Sequence, residues 1–177
     1  MARGHVSLLA VTVIGHDRPG IIADVTAGLA DLGINLEDSS MTLLRGHFAM
    51  TLVCAGDLPL GQVERALAPL AADGSLLVTV RSVPAEAVSA ASGNPHLLTV
   101  HGGDRPGIVS AVTRVLADSG GNIIDLTTRL TGDMYLLVAE VDLPASVDTD
   151  ALAGRLAATG ADLGVRVTLR RQETDVL

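Results

Sequence analysis

A seven-residue stretch that could bind a small charged ligand occurs twice in the chain. It reads Gly-His-Asp-Arg-Pro-Gly-Ile at residues 15–21 and Gly-Gly-Asp-Arg-Pro-Gly-Ile at residues 102–108. Each copy follows a β-like apolar run and precedes apolar residues at helical spacing, so each is predicted to be a strand-to-helix turn. The free N–H groups at the start of a helix suit a carboxylate, and Asp17 or Asp104 can hold an ammonium group. Together these features fit the two ends of a free α-amino acid.

The turn belongs to a longer repeat with an offset of 87 residues, the difference between Asp17 and Asp104. Roughly half of the positions between residues 12 and 43 match at this offset. Such a match over a whole segment indicates duplication of a supersecondary unit. The matching pairs include Thr12 with Thr99, Ile21 with Ile108, Leu29 with Leu116, Gly33 with Gly120 and Asn35 with Asn122.

The elements around each turn are predicted in the order β-α-β-β-α-β. Right-handed crossovers then place both helices on one face of a four-stranded antiparallel sheet, which gives an α+β chain of two ferredoxin-like βαββαβ domains in tandem. In the first half, periodicity and turn residues predict strands at 7–14, 36–44, 47–55 and 76–83, and helices at 20–32 and 60–72. In the second half they predict strands at 97–101, 123–130, 134–141 and 163–169, and helices at 107–118 and 147–158.

The predicted domain boundaries follow from these elements. The first domain covers residues 5–83, a linker rich in Ala, Ser, Gly and Pro covers 84–95, and the second domain covers 96–171. Residues 170–177 are predicted to be a frayed polar tail. Because each sheet leaves one face open and its edge strands unpaired, the junction between the two domains is an expected binding crevice.

Composition excludes several classes of protein. The net charge of −8, with one Tyr, one Phe and no Trp, argues against direct binding of nucleic acid. All 12 basic residues are Arg, so a P-loop lysine and a Schiff-base lysine are both absent. The single Cys54 is expected to be a small buried hydrophobe. Because neither a transmembrane segment nor a signal peptide is evident, no membrane association is expected, and the predicted location is the cytoplasm.

The sequence contains no arrangement of residues typical of a catalytic or metal site. The five His residues do not follow the repeat: His16 aligns with Gly103, and His101 aligns with Ile14. No metal-ligand spacing, Gly-x-Ser-x-Gly motif or clustered carboxylates occur. We therefore expect a protein that is not an enzyme and that has no metal and no cofactor.

A strand, a Gly-x-Asp-Arg-Pro-Gly-Ile turn, a helix and then Gly-x-Asn at the next strand together resemble the ACT domain, a regulatory module that binds amino acids where two copies meet. Two such units with no further domain are similar to the glycine cleavage system transcriptional repressor family. The resemblance covers almost the whole chain. A His that some ACT domains carry at the end of strand one is replaced here by Gly15 and Gly102. The ligand-binding residues implied by the resemblance are Gly15, Asp17, Arg18, Pro19, Gly20, Ile21, Asn35, Gly102, Asp104, Arg105, Pro106, Gly107, Ile108 and Asn122.

Each of these residues also has a simpler explanation that the sequence leaves open. The Asp residues could cap the helix or form an Asx-turn, and the Asn residues could favour left-handed backbone after a helix. Turn geometry alone could explain the Gly and Pro residues, and solvation could explain the two Arg residues.

The functional hypothesis is a non-catalytic amino-acid sensor, with the ligand at the contact between two ACT domains and a protein partner that receives the signal. That partner would be a transcription factor, as the repressor resemblance implies, or an enzyme of amino-acid metabolism for which the chain is a regulatory subunit. An enzyme in its own right and a purely structural pairing module are further alternatives. The sequence leaves open whether the chain forms a homodimer.

Overall fold

The computed structural model of the protein describes residues 8–84 and 94–172, which form two compact units, one on each side of segment 85–93. The predicted start of the first domain at 5–7, most of the linker and residues 173–177 lie outside the described residues. The domain boundaries at these places stay predictions.

The first unit has the βαββαβ order. Its elements are β1 (Leu8–His16), α1 (Ile21–Ala30), β2 (Asn35–Leu44), β3 (His47–Ala55), α2 (Leu60–Leu67) and β4 (Leu76–Val83). The second unit repeats this order with β5 (Pro95–Gly103), α3 (Ile108–Asp118), β6 (Asn122–Thr131), β7 (Met134–Asp142), α4 (Thr149–Asp162) and β8 (Val165–Arg171). The two predicted ferredoxin-like folds are therefore confirmed.

Each unit contains one antiparallel sheet. The strand order is β2-β3-β1-β4 in the first unit and β6-β7-β5-β8 in the second. In both units the second strand of the fold lies at one edge, and the strand that enters the turn lies in the centre. The register pairs His16 with His47 at the turn end of the first sheet, and Leu8 with Ala55 at the far end.

The core of each unit lies between the sheet and its two helices. Alternate residues of the central strands are buried, as the period of a strand facing a core requires. In the first unit they pack against Ile21, Val25 and Leu29 of α1 and against Val63 and Leu67 of α2. The buried strand residues are Leu9, Val11, Val13, Phe48, Met50, Leu52 and Cys54.

Cys54 behaves as the sequence predicts. Its thiol is fully buried and free. Burial, together with the nearby charge of Glu37, raises the pKa of the Cys54 thiol. The side chain therefore stays a neutral part of the core.

The open face of each sheet keeps apolar side chains accessible. In the first unit Ile14 is 43% exposed and Leu77 is 61% exposed, although the two residues pair with one another across β1 and β4.

The end of α1 follows the predicted pattern. Gly33 has a φ of 69° and lies in the left-handed region. Its N–H donates to the Ala30 carbonyl at 2.8 Å, and the Ile34 N–H donates to the Leu29 carbonyl at 3.0 Å. These two bonds are those of a Schellman motif, which satisfies the last carbonyls of a helix.

The end of α2 differs from its prediction. The helix was expected to continue through residue 72, but it ends at Leu67 and a 3-10 turn covers Ala68–Ala71. The cause is Pro69, which has no N–H to donate to the carbonyl of Arg65 and so cannot continue the α-helical ladder.

The bounds of α4 also differ from the predicted 147–158. The helix begins at Thr149 because the Asp148 carboxylate accepts the N–H groups of Asp150 and Ala151 at 3.1 and 3.0 Å. It continues past Gly160, which packs so closely on β8 that an added Cβ would lie 2.6 Å from a methyl of Val167.

The predicted polar tail is wrong at its first two residues. Arg170 and Arg171 are the last residues of β8 and pair with Leu97 and His96 of β5. Strand pairing, which periodicity in so short a segment cannot reveal, extends β8 by two residues.

Candidate functional site

Each repeated turn leaves backbone N–H groups unpaired at the start of a helix. Gly20 and Gly107 precede α1 and α3 with φ of 92° and 95°, which other residues adopt only with strain. No side chain caps either helix. The first bonds run from the Asp24 N–H to the Gly20 carbonyl and from the Ala111 N–H to the Gly107 carbonyl, both at 2.9 Å. The earlier N–H groups of each helix therefore remain able to bind an anion.

Asp17 and Asp104 are held by their backbones at the mouths of these turns. The Asp17 N–H donates to the Gly46 carbonyl at 3.4 Å, and the Asp104 N–H donates to the Asp133 carbonyl at 3.3 Å. Both residues are exposed, and neither carboxylate caps the following helix. The capping alternative is therefore wrong, and both carboxylates are available to a cation.

The glycines of the turn divide into two kinds. A Cβ on Gly15 would lie 2.1 Å from the Ser75 carbonyl oxygen, and one on Gly102 would lie 2.9 Å from Val165. The chain itself thus fills the space beside these two. Around Gly20 the nearest atoms would be 3.9 Å away, and around Gly107 none lies within 4 Å. Only this second pair leaves room for another molecule beside the backbone.

The two Arg residues of the turns have different surroundings. Arg18 forms an ion pair with Asp24 at 3.1 Å, and both side chains are nearly half exposed. Ala111 stands at the place of Asp24 in the second unit, so the matching Arg105 has no such partner there. Its guanidinium lies beside Gly164, at about the van der Waals distance of an added Cβ.

A cavity of about 480 Å³ opens beside the turn of the first unit. This volume falls within the usual range for small-molecule sites. It brings together four of the predicted residues with side chains of α1, β2 and β3. Its lining residues are Asp17, Arg18, Gly20, Ile21, Ile22, Ala23, Met41 and Phe48.

Met41 and Phe48 were not predicted as site residues. Met41 lies on the edge strand β2 and is 46% exposed, whereas Phe48 on β3 is 2% exposed. Both point to the helix side of the sheet, since Met41 pairs with the buried Met50 and Phe48 is itself part of the core. An exposed Met on the core-facing side of a strand is the signal that could have indicated them.

The corresponding place in the second unit is more polar. At the offset of 87 residues, Tyr135 replaces Phe48 and Thr128 replaces Met41. Burial and the charge of Asp104 raise the pKa of Tyr135, while a hydrogen bond with the Thr128 side chain lowers it by less. Tyr135 is thus a further residue of this site, in electrostatic contact with the turn.

Asn35 and Asn122 lie far from the turns of their own units. Asn35 pairs with Ala55, whereas the turn follows His16, which pairs with His47. The two pairs lie eight positions apart along β3, about 27 Å at the rise of a strand. One small ligand cannot contact Asp17 and Asn35 of the same unit.

The left-handed alternative for these Asn residues is also wrong. Both begin strands, and Arg45 is the only non-glycine with positive φ in the described ranges. Asn122 instead lines a separate cavity of about 540 Å³ on the outer side of α3. Its other lining residues are Ser110, Thr113, Arg114, Ala117, Gly121 and Ile123.

The described part of the chain contains neither a metal-binding cluster nor a membrane-spanning helix. Within residues 8–84 and 94–172, three or more His, Cys, Asp or Glu side chains nowhere gather closely enough to hold a metal ion. Each described helix is too short or too polar to cross a lipid bilayer.

The chain has relatives of about half its length in archaea. It is 34% identical over 77 residues to a UPF0237 protein of Methanococcus maripaludis, an alignment that covers 43% of this chain and 86% of the relative. It is 37% identical over 78 residues to a UPF0237 protein of Methanopyrus kandleri, which covers 44% of this chain and 87% of the relative. Each of these relatives thus corresponds to a single unit.

Two solved structures match nearly the whole chain. An unknown protein from Galdieria sulphuraria is 27% identical with a TM-score of 0.76, over 96% of this chain and 100% of that one. A candidate glycine cleavage system transcriptional repressor is 18% identical with a TM-score of 0.75, over 97% and 100%. At that identity the second likeness establishes the fold.

A sequence profile of the ACT domain matches residues 7–81 and again residues 94–170, one match for each unit. ACT domains are regulatory amino-acid-binding domains, and ACT-domain regulatory proteins are generally non-catalytic. The chain therefore belongs to the ACT domain family and carries two ACT domains in tandem.

Proposed function

We propose that this protein is a non-catalytic sensor of a free α-amino acid that acts on a protein partner. The observation that carries the proposal is the repeated turn, where uncapped helix N–H groups and an exposed Asp lie beside a cavity. A carboxylate that can bind a cation and N–H groups that can bind an anion in the same turn match the two charged ends of an amino acid.

The proposed pose follows from the charges. The ammonium group lies toward Asp17 or Asp104, where charge-assisted hydrogen bonds are the strongest available. The carboxylate lies at the N–H groups that follow Gly20 or Gly107, the positive end of the helix. Arg18 and Arg105 add positive charge to the carboxylate side of each turn.

The remaining predicted residues require a second ACT fold. Because Asn35 cannot reach the ligand of its own turn, we propose that Asn35 and Asn122 contact a ligand held by another ACT fold, of this chain or of a second copy. A homodimer is then one way to complete the site.

The expected affinity suits a sensor of metabolite pools. Small ligands reach at most about 1.5 kcal/mol per heavy atom, so an amino acid as small as glycine binds no tighter than roughly micromolar. A ligand held by two folds can change how they are arranged only if it binds one arrangement more tightly than another.

Two kinds of protein partner are candidates. The likeness to a candidate transcriptional repressor favours a partner in transcriptional control, with the chain acting through a protein and not on DNA directly. The second candidate is a regulatory subunit that binds an enzyme of amino-acid metabolism. Co-purification from a native extract separates the two, because it identifies either a transcription factor or an enzyme.

Calorimetry on single-site variants tests the proposal. A thermal-shift screen with the twenty amino acids first selects the ligand. Asp17→Asn and Asp104→Asn should then each weaken binding at one site about ten- to a hundredfold, since a hydrogen bond to a charged group contributes about 1.5–3 kcal/mol.

Asp31→Asn is the matched control. Asp31 is also exposed but lies at the opposite end of α1, so its variant should bind as the wild type does. Equal loss in all three variants would indicate a general electrostatic effect, and no loss in any of them would place the ligand elsewhere.

A further inference from the structure

The residues around the two turns differ in chemistry, although the backbones of the turns repeat. In the first unit the large side chains that line the cavity together with Asp17 and Arg18 include Ile22, Met41 and Phe48. None of these side chains offers a hydrogen-bond donor or a strong acceptor. The only polar side chains in the lining are those of Asp17 and Arg18.

Arg18 is already engaged. Its Nη1 atom donates to the Asp24 carboxylate at 3.1 Å and to the Pro19 carbonyl at 3.3 Å. A polar ligand side chain that faces Met41 and Phe48 would therefore lose its bonds to water and find no replacement.

The second unit offers the opposite environment. Thr128 and Tyr135 replace Met41 and Phe48. Two hydroxyl groups thus stand where the first unit has a thioether and a phenyl ring. On the helix Val109 matches Ile22, but Ser110 replaces Ala23 and adds a third hydroxyl group.

We infer that the turn cavity of the first unit selects an α-amino acid with an apolar side chain, and that Met41 and Phe48 are the residues that determine this specificity. The inference rests on the proposed function, because it assumes that Asp17 and the start of α1 hold the charged ends of the amino acid. The apolar side chain of the bound amino acid then packs on Met41 and Phe48 and is removed from contact with water.

The size of the preference follows from transfer energies. L-leucine and L-serine share the same charged ends and differ only in the side chain. One methylene in a hydrophobic pocket changes binding about 10- to 200-fold. L-leucine should therefore bind the first unit at least about tenfold more tightly than L-serine does.

The test is calorimetry of the full chain with these two amino acids. Met41→Thr brings in the residue of the second unit and should reduce the preference for L-leucine over L-serine several-fold. Leu44→Thr is the matched control, because Leu44 lies on the same strand with 49% exposure, close to the 46% of Met41, yet does not line the cavity. It should leave the preference unchanged.

The fluorescence of the sole tyrosine shows whether L-leucine binds in the second unit. Because the chain has no Trp, its ultraviolet emission comes from Tyr135 in the second unit. L-leucine at a concentration that saturates the first unit should leave this emission unchanged.

The outcomes separate the two proposals. If neither amino acid nor any other of the twenty binds, the proposed function fails and this inference fails with it. If an amino acid binds but L-serine equals or exceeds L-leucine, or if Met41→Thr leaves the preference unchanged, the inference is overturned while the sensor function stands. L-leucine binding that alters Tyr135 emission and survives Met41→Thr would likewise overturn it.

Discussion

Asp17 and Asp104 occupy the same place in the repeat, yet the residues that face them give them different properties. Asp17 lies beside a cavity with an apolar wall. The charge of Asp104 helps to raise the pKa of Tyr135, while a hydrogen bond with the Thr128 side chain lowers that pKa by less. The carboxylate that we propose to bind an ammonium group is thus present in both copies, whereas the side chains on the neighbouring strands differ.

The link between Asp104 and Tyr135 predicts a change in titration. The negative charge of Asp104 disfavours the tyrosinate and so helps to raise the pKa of Tyr135. Asp104→Asn removes that charge, so Tyr135 should ionise at a lower pH than in the wild type. Ultraviolet absorbance of the tyrosinate measures this without interference, because Tyr135 is the only Tyr and there is no Trp.

The control for this titration is Asp125→Asn. Asp125 pairs with Glu140 near the far end of the second sheet, so its variant should titrate as the wild type does. An unchanged midpoint in Asp104→Asn would contradict the electrostatic contact between the turn and Tyr135.

At the scale of the element, the turn depends on glycines for two separate reasons. Gly15 is required because the start of β4 approaches its backbone, whereas Gly20 is required by its positive φ. The first is a steric requirement of the fold. The second provides the backbone geometry that exposes the N–H groups of α1.

Alanine substitution should distinguish these reasons by chemical denaturation. Gly20→Ala should lower the free energy of unfolding by about 1–2 kcal/mol, the cost of left-handed backbone with a Cβ. Gly15→Ala should lower it by more, because the Cβ would lie 2.1 Å from the Ser75 oxygen and β4 would have to move.

Gly154→Ala provides a control of opposite sign. Gly154 lies within α4, and an added Cβ meets nothing within 4 Å. The same substitution there should raise the free energy of unfolding by about 0.5–1 kcal/mol, because glycine weakens a helix interior. Greater loss at Gly20 than at Gly15 would contradict the steric reading of Gly15.

The elements could be predicted from the sequence because their signals are local. Apolar spacing indicated all twelve helices and strands, and Gly33 correctly marked the end of α1. The approach of Met41 and Phe48 to the turn could not be predicted, because it depends on which strand lies at the edge and on the register of β2 against β3. The separation of Asn35 from Asp17 follows from the same strand directions.

At the scale of the whole molecule, the duplication supplies two similar folds with different sites. The turn is repeated, whereas Thr128 stands in place of Met41 and Tyr135 in place of Phe48. If the proposed function holds, the two sites should therefore bind the same amino acid with different affinities. The net charge of −8 disfavours nucleic acid as a direct partner, because it repels the phosphate groups.

The charge predicts that the purified protein alone forms no specific complex with DNA. A gel shift at low salt, where electrostatic attraction to phosphate is strongest, is the most sensitive condition for detecting one. A sequence-specific complex under these conditions would contradict a regulator that acts through a protein partner.

The central claim is that a free amino acid binds at the Asp of the repeated turn, and the double variant Asp17→Asn/Asp104→Asn tests it most directly. Calorimetry compares the double variant with the wild type, using the amino acid found in the thermal-shift screen, and circular dichroism confirms that both are folded. We predict that affinity falls about ten- to a hundredfold at every site while the fold is retained, because neither Asp caps a helix. Unchanged affinity in the folded double variant would contradict the account.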